Sequence, residues 1–323
     1  AVIGAGISGM GAAYMLARHH RVVLYEAEPR LGGHARTKIA GKRGDQPVDT
    51  GFIVFNEPNY PHLNALFRQL EVPIALSDMS FGASIDGGRI EYGLKNFGAI
   101  FAQRRNFARP GFLRMMRDIL RFNARAEAVA QDPGITIAEM MERLGTGRWF
   151  RDYYLTPLSG AIWSTPVERI AAFPARAMID FFRNHALLQA TGQHQWYTVQ
   201  GGSIEYVRRL EVAMRARGVE IRTGTPVEAV RRPAAGAEVR ARGAWESYDA
   251  VVMAGHSDDS LALLADADDS ERRDLGAIGY QPNEVVLHSD PAVMPTRRAC
   301  WSSWNYTEER GKQSDRIDIT YWM

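Results

Sequence analysis

The 323-residue sequence predicts an α/β fold interleaved with a second domain of α+β character, and three observations lead there. An apolar strand at the start of the chain runs straight into a glycine triplet and then into helical spacing. A long middle segment has another texture, with a hairpin signal and several amphipathic helices. The opening texture then returns after Gly201-Gly202-Ser203. Strands alternating with helices around glycine turns call for a mainly parallel sheet. The interruption calls for discontinuous domains, with expected bounds of 1–76 and 196–275 for one and 77–195 and 276–323 for the other.

Element by element, the opening reads as strand Ala1–Ile3, helix about Ser8–Arg18 and strand Arg21–Tyr25, with a second glycine turn at Gly32-Gly33. Apolar spacing predicts a helix over Tyr60–Leu70. Ser80–Ile85 and Arg89–Tyr92 flank Asp86-Gly87-Gly88, a hairpin signal. Helices are expected at Gly111–Ala130, Thr136–Leu144 and Pro174–Leu188, the second opened by a Thr136/Glu139 capping box. After Gly201 come a helix Ile204–Arg217, a strand Val219–Arg222, a hairpin across Val227–Arg242 and a buried strand Ala250–Ala254. Alternating strands are expected at Glu284–His288, Ala299–Tyr306 and Arg316–Tyr321. Both ends of the chain look cut, so a C-terminally truncated fragment of a longer protein is expected.

Gly4-Ala5-Gly6-Ile7-Ser8-Gly9 fits G-x-G-x-x-G directly after a strand and at the start of a helix. Gly4 permits a tight turn, Gly6 lets backbone approach a diphosphate, and Gly9 permits close helix–strand packing. The amides of Ile7 and Ser8 then open a helix whose positive end favours phosphate. Glu26 closes the second strand 22 residues after Gly4, where a carboxylate reaches a ribose diol. This is a Rossmann-like pattern, and by itself it leaves NAD and FAD both open. Arg30-Leu31-Gly32-Gly33-His34-Ala35-Arg36-Thr37 adds the second glycine turn, its first glycine six residues beyond Glu26. With it the chain resembles the flavin-containing amine oxidase superfamily, whose relatives include phytoene desaturases and protoporphyrinogen oxidases.

The resemblance implies non-covalent FAD and an amine-oxidase-like fold of two domains: a Rossmann-like FAD-binding domain and a substrate domain of mixed sheet and helices. It places Gly4, Gly6, Ile7, Ser8, Gly9, Glu26, Ala27, Gly32, Gly33 and His34 around the adenosine and diphosphate. Thr50, Gly51, Phe52 and Ile53 would lie near the flavin ring, Val227 at the adenine, and Ala254 and Gly255 at the end of a late strand. Family members often carry arginine where this chain has Glu28 and His34, a departure from the pattern. The family's late glycine–acid segment has no counterpart after Trp304. Four further stretches are similar to a bacterial group of predicted FAD-binding proteins: 51–56, Ala161-Ile162-Trp163-Ser164, 195–202 and 280–284. That group is associated with cyclopropane and methyl-branched fatty-acid synthesis. The likeness implies two-electron oxidation or desaturation of a fatty-acyl substrate. It leaves two alternatives, a peroxide-producing amine oxidase and a non-catalytic FAD-binding partner of a lipid methyltransferase. Trp163, Phe173, Trp196, Tyr197, Trp304 and Tyr306 are candidates for an apolar substrate wall; the sequence assigns no catalytic base.

Composition narrows the rest. The single cysteine, Cys300, cannot close an intrachain disulfide and fits a reducing, cytoplasmic compartment. Net charge is only +2, yet residues 95–125 hold eight basic residues against one acid, which makes that stretch +7. On a helix Arg114, Arg117, Arg121 and Arg125 fall within about 80° of one another. Phe112, Met115, Met116, Ile119 and Leu120 are expected opposite them. Such a helix suits either a solvated face over a packed core or peripheral contact with an anionic membrane surface. Nucleic acid is disfavoured because no reader motif accompanies the charge. The eight histidines show no spacing typical of metal ligands, so no metal site is expected.

Overall fold

The computed structural model describes residues 1–163, 170–189, 192–280, 282–311 and 318–323. These form two compact units, 1–55 with 60–75 and 197–287, and 56–59 with 76–196 and 288–323.

The first unit is built on a four-stranded parallel sheet in the order Glu220–Arg222, Val23–Tyr25, Val2–Ile3, Val252–Met253. Strand side chains alternate between faces, and the two faces have different coverings. Val2 and Leu24 join the core under the helices Ile7–Leu16 and Ile204–Ala216. Ile3, Val23 and Tyr25 join Val230, Val239 and Ala241 of an antiparallel meander, Val227–Arg231, Ala237–Ala241 and Ala244–Tyr248. The helix Ile204–Ala216 buries Tyr206, Val207, Leu210 and Met214, the three- and four-residue spacing of one helical face. Each such side chain contributes on the order of 1.5–3 kcal/mol. A hairpin, Thr37–Ala40 with Gln46–Asp49, and the helices Ser257–Leu263 and Asp269–Gly276 complete the unit.

The second unit holds a four-stranded sheet ordered Asp318–Tyr321, Trp304–Thr307, Phe81–Ile85, Ile90–Gly93. The pair Phe81–Ile85 and Ile90–Gly93 is the expected hairpin, and Trp304 pairs with Phe81 in parallel. The helices Pro110–Val129, Ile137–Leu144, Thr156–Trp163 and Ala175–Asn184 pack around a core in which Tyr92, Phe112, Phe122, Phe150 and Phe182 are fully buried. Both capping-box bonds between Thr136 and Glu139 are present, and Gly145 ends that helix in the left-handed conformation.

Three expectations need correction. Glu284–His288 is not a strand; it is an exposed segment that pairs with no strand among the described residues, and its three consecutive apolar residues, Val285 to Leu287, do not alternate between two faces. Ala299–Tyr306 divides into a short turn, Arg298–Cys300, and the strand Trp304–Thr307. The last strand is described from Asp318, residues 316 and 317 lying outside the described residues, as do Ser164 and Gln281 of the quoted motifs. Leu120 lies on the exposed side of its helix, not in the core.

Candidate dinucleotide site

Gly4 sits at φ +98°, a region that L side chains rarely adopt, and its amide donates to the Tyr25 carbonyl at 2.9 Å. A Cβ on Gly9 would stand 1.8 Å from the Gly4 carbonyl oxygen, so only glycine lets the helix start this close to the strand. Gly6 caps that helix, and a Cβ built on it meets nothing within 4 Å. A Cβ on Gly33 would reach the Gly6 Cα at 3.0 Å. The two glycine turns therefore meet backbone to backbone, with open space in front of Gly6. The first-turn amides of Ile7 and Ser8 have no carbonyl to serve within their own helix. A phosphate chain fits such a cradle.

The half-buried Glu26 does two things. One carboxylate oxygen accepts from the Ala5 amide at 2.7 Å and the other from the Glu28 amide at 2.8 Å. It thus fixes the glycine loop while keeping lone pairs for a ribose hydroxyl. Ala27 is exposed beside it, and the Thr225 amide donates to the Glu26 carbonyl at 2.9 Å. Val227, two residues on, lies in the meander, paired with Ala241. Gly32 donates its amide to the Ala5 carbonyl at 2.8 Å. The Glu28 carboxylate pairs with Arg30 at 2.9 Å, and the Arg30 guanidinium donates to the Gly33 carbonyl at 2.9 Å. Arg30 thereby closes the second turn, a role the sequence did not suggest.

Gly51 lies so close to His34 that a Cβ would stand 2.0 Å from the His34 carbonyl oxygen. The Thr50 hydroxyl donates to the Arg36 carbonyl at 3.0 Å, Phe52 packs edge-on to Tyr206, and the Ile53 carbonyl accepts from Thr198. Their neighbour Asp49 is buried and clasps the helix start, accepting from the Ser203 amide at 2.8 Å, the Ser203 hydroxyl at 2.6 Å and the Thr37 hydroxyl at 2.6 Å. Burial, and then this carboxylate, push the Tyr206 hydroxyl up to about 12. Ala254 and Gly255 abut the first turn: the Ala254 amide donates to the Ile3 carbonyl, and a Cβ on Gly4 would stand 3.1 Å from the Ala254 carbonyl oxygen.

His34 stands 5.6 Å, ring to ring, from His256, which stacks on Tyr280 at 4.2 Å. His256, Asp258 and Asp259 also gather within 4.8 Å of one another, all exposed, a grouping that linear spacing did not single out. A cavity of about 800 Å³ opens elsewhere in this unit, lined by Asp249, Val251, Met253, Glu271 and Tyr280. Of the residues expected to hold a cofactor, it touches Gly255 alone.

In the second unit, Trp163, Phe173 and Trp196 belong to one aromatic cluster: Trp163 lies 5.7 Å from Phe173 and 5.3 Å from Phe181, which stacks on His185 beside Trp196. Trp304 and Tyr306 lie on the sheet instead, Trp304 edge-on to Tyr321 and Tyr306 bonded through its hydroxyl to Glu308. Tyr197 belongs to the first unit, 6.0 Å from Phe55. The six candidates therefore do not form one wall within either unit.

The model of the family described as "Flavin containing amine oxidoreductase" matches residues 7–312. The chain belongs to this family. FAD is accordingly its cofactor, and the glycine cradle and Glu26 fit it. Carotenoid phi-ring synthase of Streptomyces griseus is 25% identical over 322 residues, 92% of this chain and 59% of that protein. Cyclohexylamine oxidase from Brevibacterium oxydans shares the fold with a TM-score of 0.61 at 18% identity, covering 85% of this chain and 62% of its own. The fatty acid isomerase of P. acnes that produces CLA does so with a TM-score of 0.60 at 15% identity, with the same coverage of 85% and 62%. The chain thus spans about six-tenths of the length of these relatives. Among the described residues no helix is long and apolar enough to cross a membrane.

Proposed function

We propose that the protein is an FAD-dependent oxidoreductase that removes two electrons from a hydrophobic, fatty-acyl-like substrate. The observation that carries the cofactor half is the contact of the two glycine turns, with Gly33 against Gly6 and open space before Gly6. Gly4, Gly6, Ile7, Ser8, Gly9, Gly32, Gly33 and His34 would hold the diphosphate. Glu26 and Ala27 would hold the ribose, Val227 the adenine, and Thr50 to Ile53 with Ala254 and Gly255 the remainder. Bound FAD supplies a two-electron acceptor. The protein's residues would orient it, keep the first-turn amides on its phosphates and exclude water through apolar side chains.

The substrate half is supported by the names of two relatives, a carotenoid ring synthase and a fatty acid isomerase, both implying apolar substrates. It is also supported by the aromatic cluster of Trp163, Phe173 and Trp196 with Phe181. A second reading, amine oxidation, is favoured by the family description and the cyclohexylamine oxidase fold. Anaerobic mixing of the flavin-loaded protein with unsaturated or branched phospholipids, and separately with primary amines, tests the two. Bleaching of the flavin by lipid supports the first. Bleaching by amine alone, with peroxide released in air, replaces it with the second. Firm flavin binding with no bleaching by either would favour the non-catalytic partner of a lipid methyltransferase.

A further inference from the structure

Of the eight basic residues between 95 and 125, half are committed to the protein itself. The Arg121 guanidinium donates to the Leu144 and Gly145 carbonyls and so caps the helix Ile137–Leu144. Arg109 holds the Arg89 carbonyl and the side chains of Gln103 and Asn106. Lys95 pairs with Asp78, and Arg117 lies 3.6 Å from the buried Asp118. Arg104, Arg105, Arg114 and Arg125 are exposed, with no acidic partner among the described residues. Large apolar side chains are exposed in the same stretch of chain: Phe97 is 69% exposed, Phe107 52%, Leu113 45% and Leu120 62%. Phe101 stacks on Phe107 at 3.9 Å, contacts Phe97 at 4.9 Å, and is anchored edge-on to the fully buried Phe112 at 5.9 Å. Leu113, Arg117, Leu120 and Ala124 then run along the outer side of Pro110–Val129, with Arg114 and Arg125 on its flank.

We propose that this face of the second unit docks on an anionic lipid bilayer. The Phe97–Phe101–Phe107 knob and the two leucines would enter the headgroup region, while the arginines reach the lipid phosphates. Charge complementarity selects this occupant. Two copies of the same face would set one cluster of unpaired arginines, Arg104, Arg105, Arg114 and Arg125, against another of the same sign, which opposes pairing. Apolar anchors ringed by cations are what an interfacial helix needs, and long arginine stems let the charge stay in water while the stem lies on lipid.

Flotation of the whole chain with vesicles of phosphatidylcholine, alone or mixed with phosphatidylglycerol, tests this. The protein should float with the mixed vesicles and about tenfold less with the neutral ones or in high salt. The double variants F97S/F107S and R114E/R125E should each lower partitioning about tenfold at unchanged thermal unfolding. The control R272E/R273E, on the helix Asp269–Gly276, should float like the parent. L120S reports on the same face if the phenylalanine pair does not fold. Absence of flotation, equal flotation with both vesicle types, or face variants that float like the parent would overturn the proposal. So would face variants that abolish self-association and leave flotation intact, which would assign the surface to a second copy.

Discussion

The glycine turns of the first unit and the arginine-rich helix of the second are both candidate contact surfaces, built by opposite means. At Gly4, Gly6, Gly9, Gly32 and Gly33 the surface is backbone, shaped by the absence of side chains within a few residues of each turn. On Pro110–Val129 it is made of long side chains whose availability is decided elsewhere. Arg121 is taken up by carbonyls 23 and 24 residues away, whereas Arg114 is left to solvent. A backbone surface is permitted by the glycines of each turn, even where a distant turn completes it as Gly33 does for Gly6; one made of side chains is decided by which tertiary neighbours claim them.

Two glycines of one loop make the sharpest contrast, and the largest effect is expected there. Gly9→Val would drive a branched side chain into the Gly4 carbonyl, 1.8 Å from the first added carbon, and should cost about 3 kcal/mol or more in denaturant unfolding. Gly6→Ala adds its methyl to open space and should change stability by less than about 0.5 kcal/mol while weakening FAD binding. Equal loss of stability in the two would break the local account.

The second unit should answer to its distant ties. Glu91 is fully buried and accepts from the Ser84 hydroxyl at 3.0 Å, the Thr296 amide at 2.7 Å and the Arg297 guanidinium, joining residues some two hundred positions apart. Glu91→Gln should cost about 2–3 kcal/mol by the same measurement. Cys300 lies beside it; burial, and then the Glu91 charge, push its thiol up to about 12. A thiol reagent should therefore label Cys300 only as the second unit opens, at a rate that Glu91→Gln raises.

The smallest effect is one of pH. Burial alone would raise the Asp78 carboxyl, but bonds from the Ser303 and Ser80 hydroxyls, from Lys95 and from the Ser80 amide hold it well below the usual carboxylate range. A folded value below the unfolded one, about 3.9, stabilises the protein above about pH 4 and ceases to do so as pH falls through the depressed value. Asp78→Asn should flatten the stability profile below about pH 4 and leave its slope above pH 6 unchanged.

The same contrast explains how much could be read in advance. The strand–turn–helix opening, the return at Gly201 and the capping box of Thr136 were legible because each is a local rule. The Asp49 clasp on Ser203 spans 154 residues and had no local signal. The hairpin Thr37–Ala40 with Gln46–Asp49 was hidden because its strands are four residues each and show no alternation of apolar and polar side chains. Leu120 was expected on the face opposite the arginines, at the edge of that face where only the packing of neighbouring helices decides exposure, and it is exposed. Tyr197 and Trp196 are neighbours in sequence yet belong to different units, which an aromatic tally could not reveal.

The most direct measurement is a titration of the apoprotein with FAD, followed by flavin absorbance and fluorescence, in parallel with Gly6→Val. The parent chain should take up FAD saturably, and the variant should unfold at the parent's temperature yet take up little flavin. A parent that ignores FAD, or a Gly6→Val protein that binds it equally well, would contradict the assignment of the site.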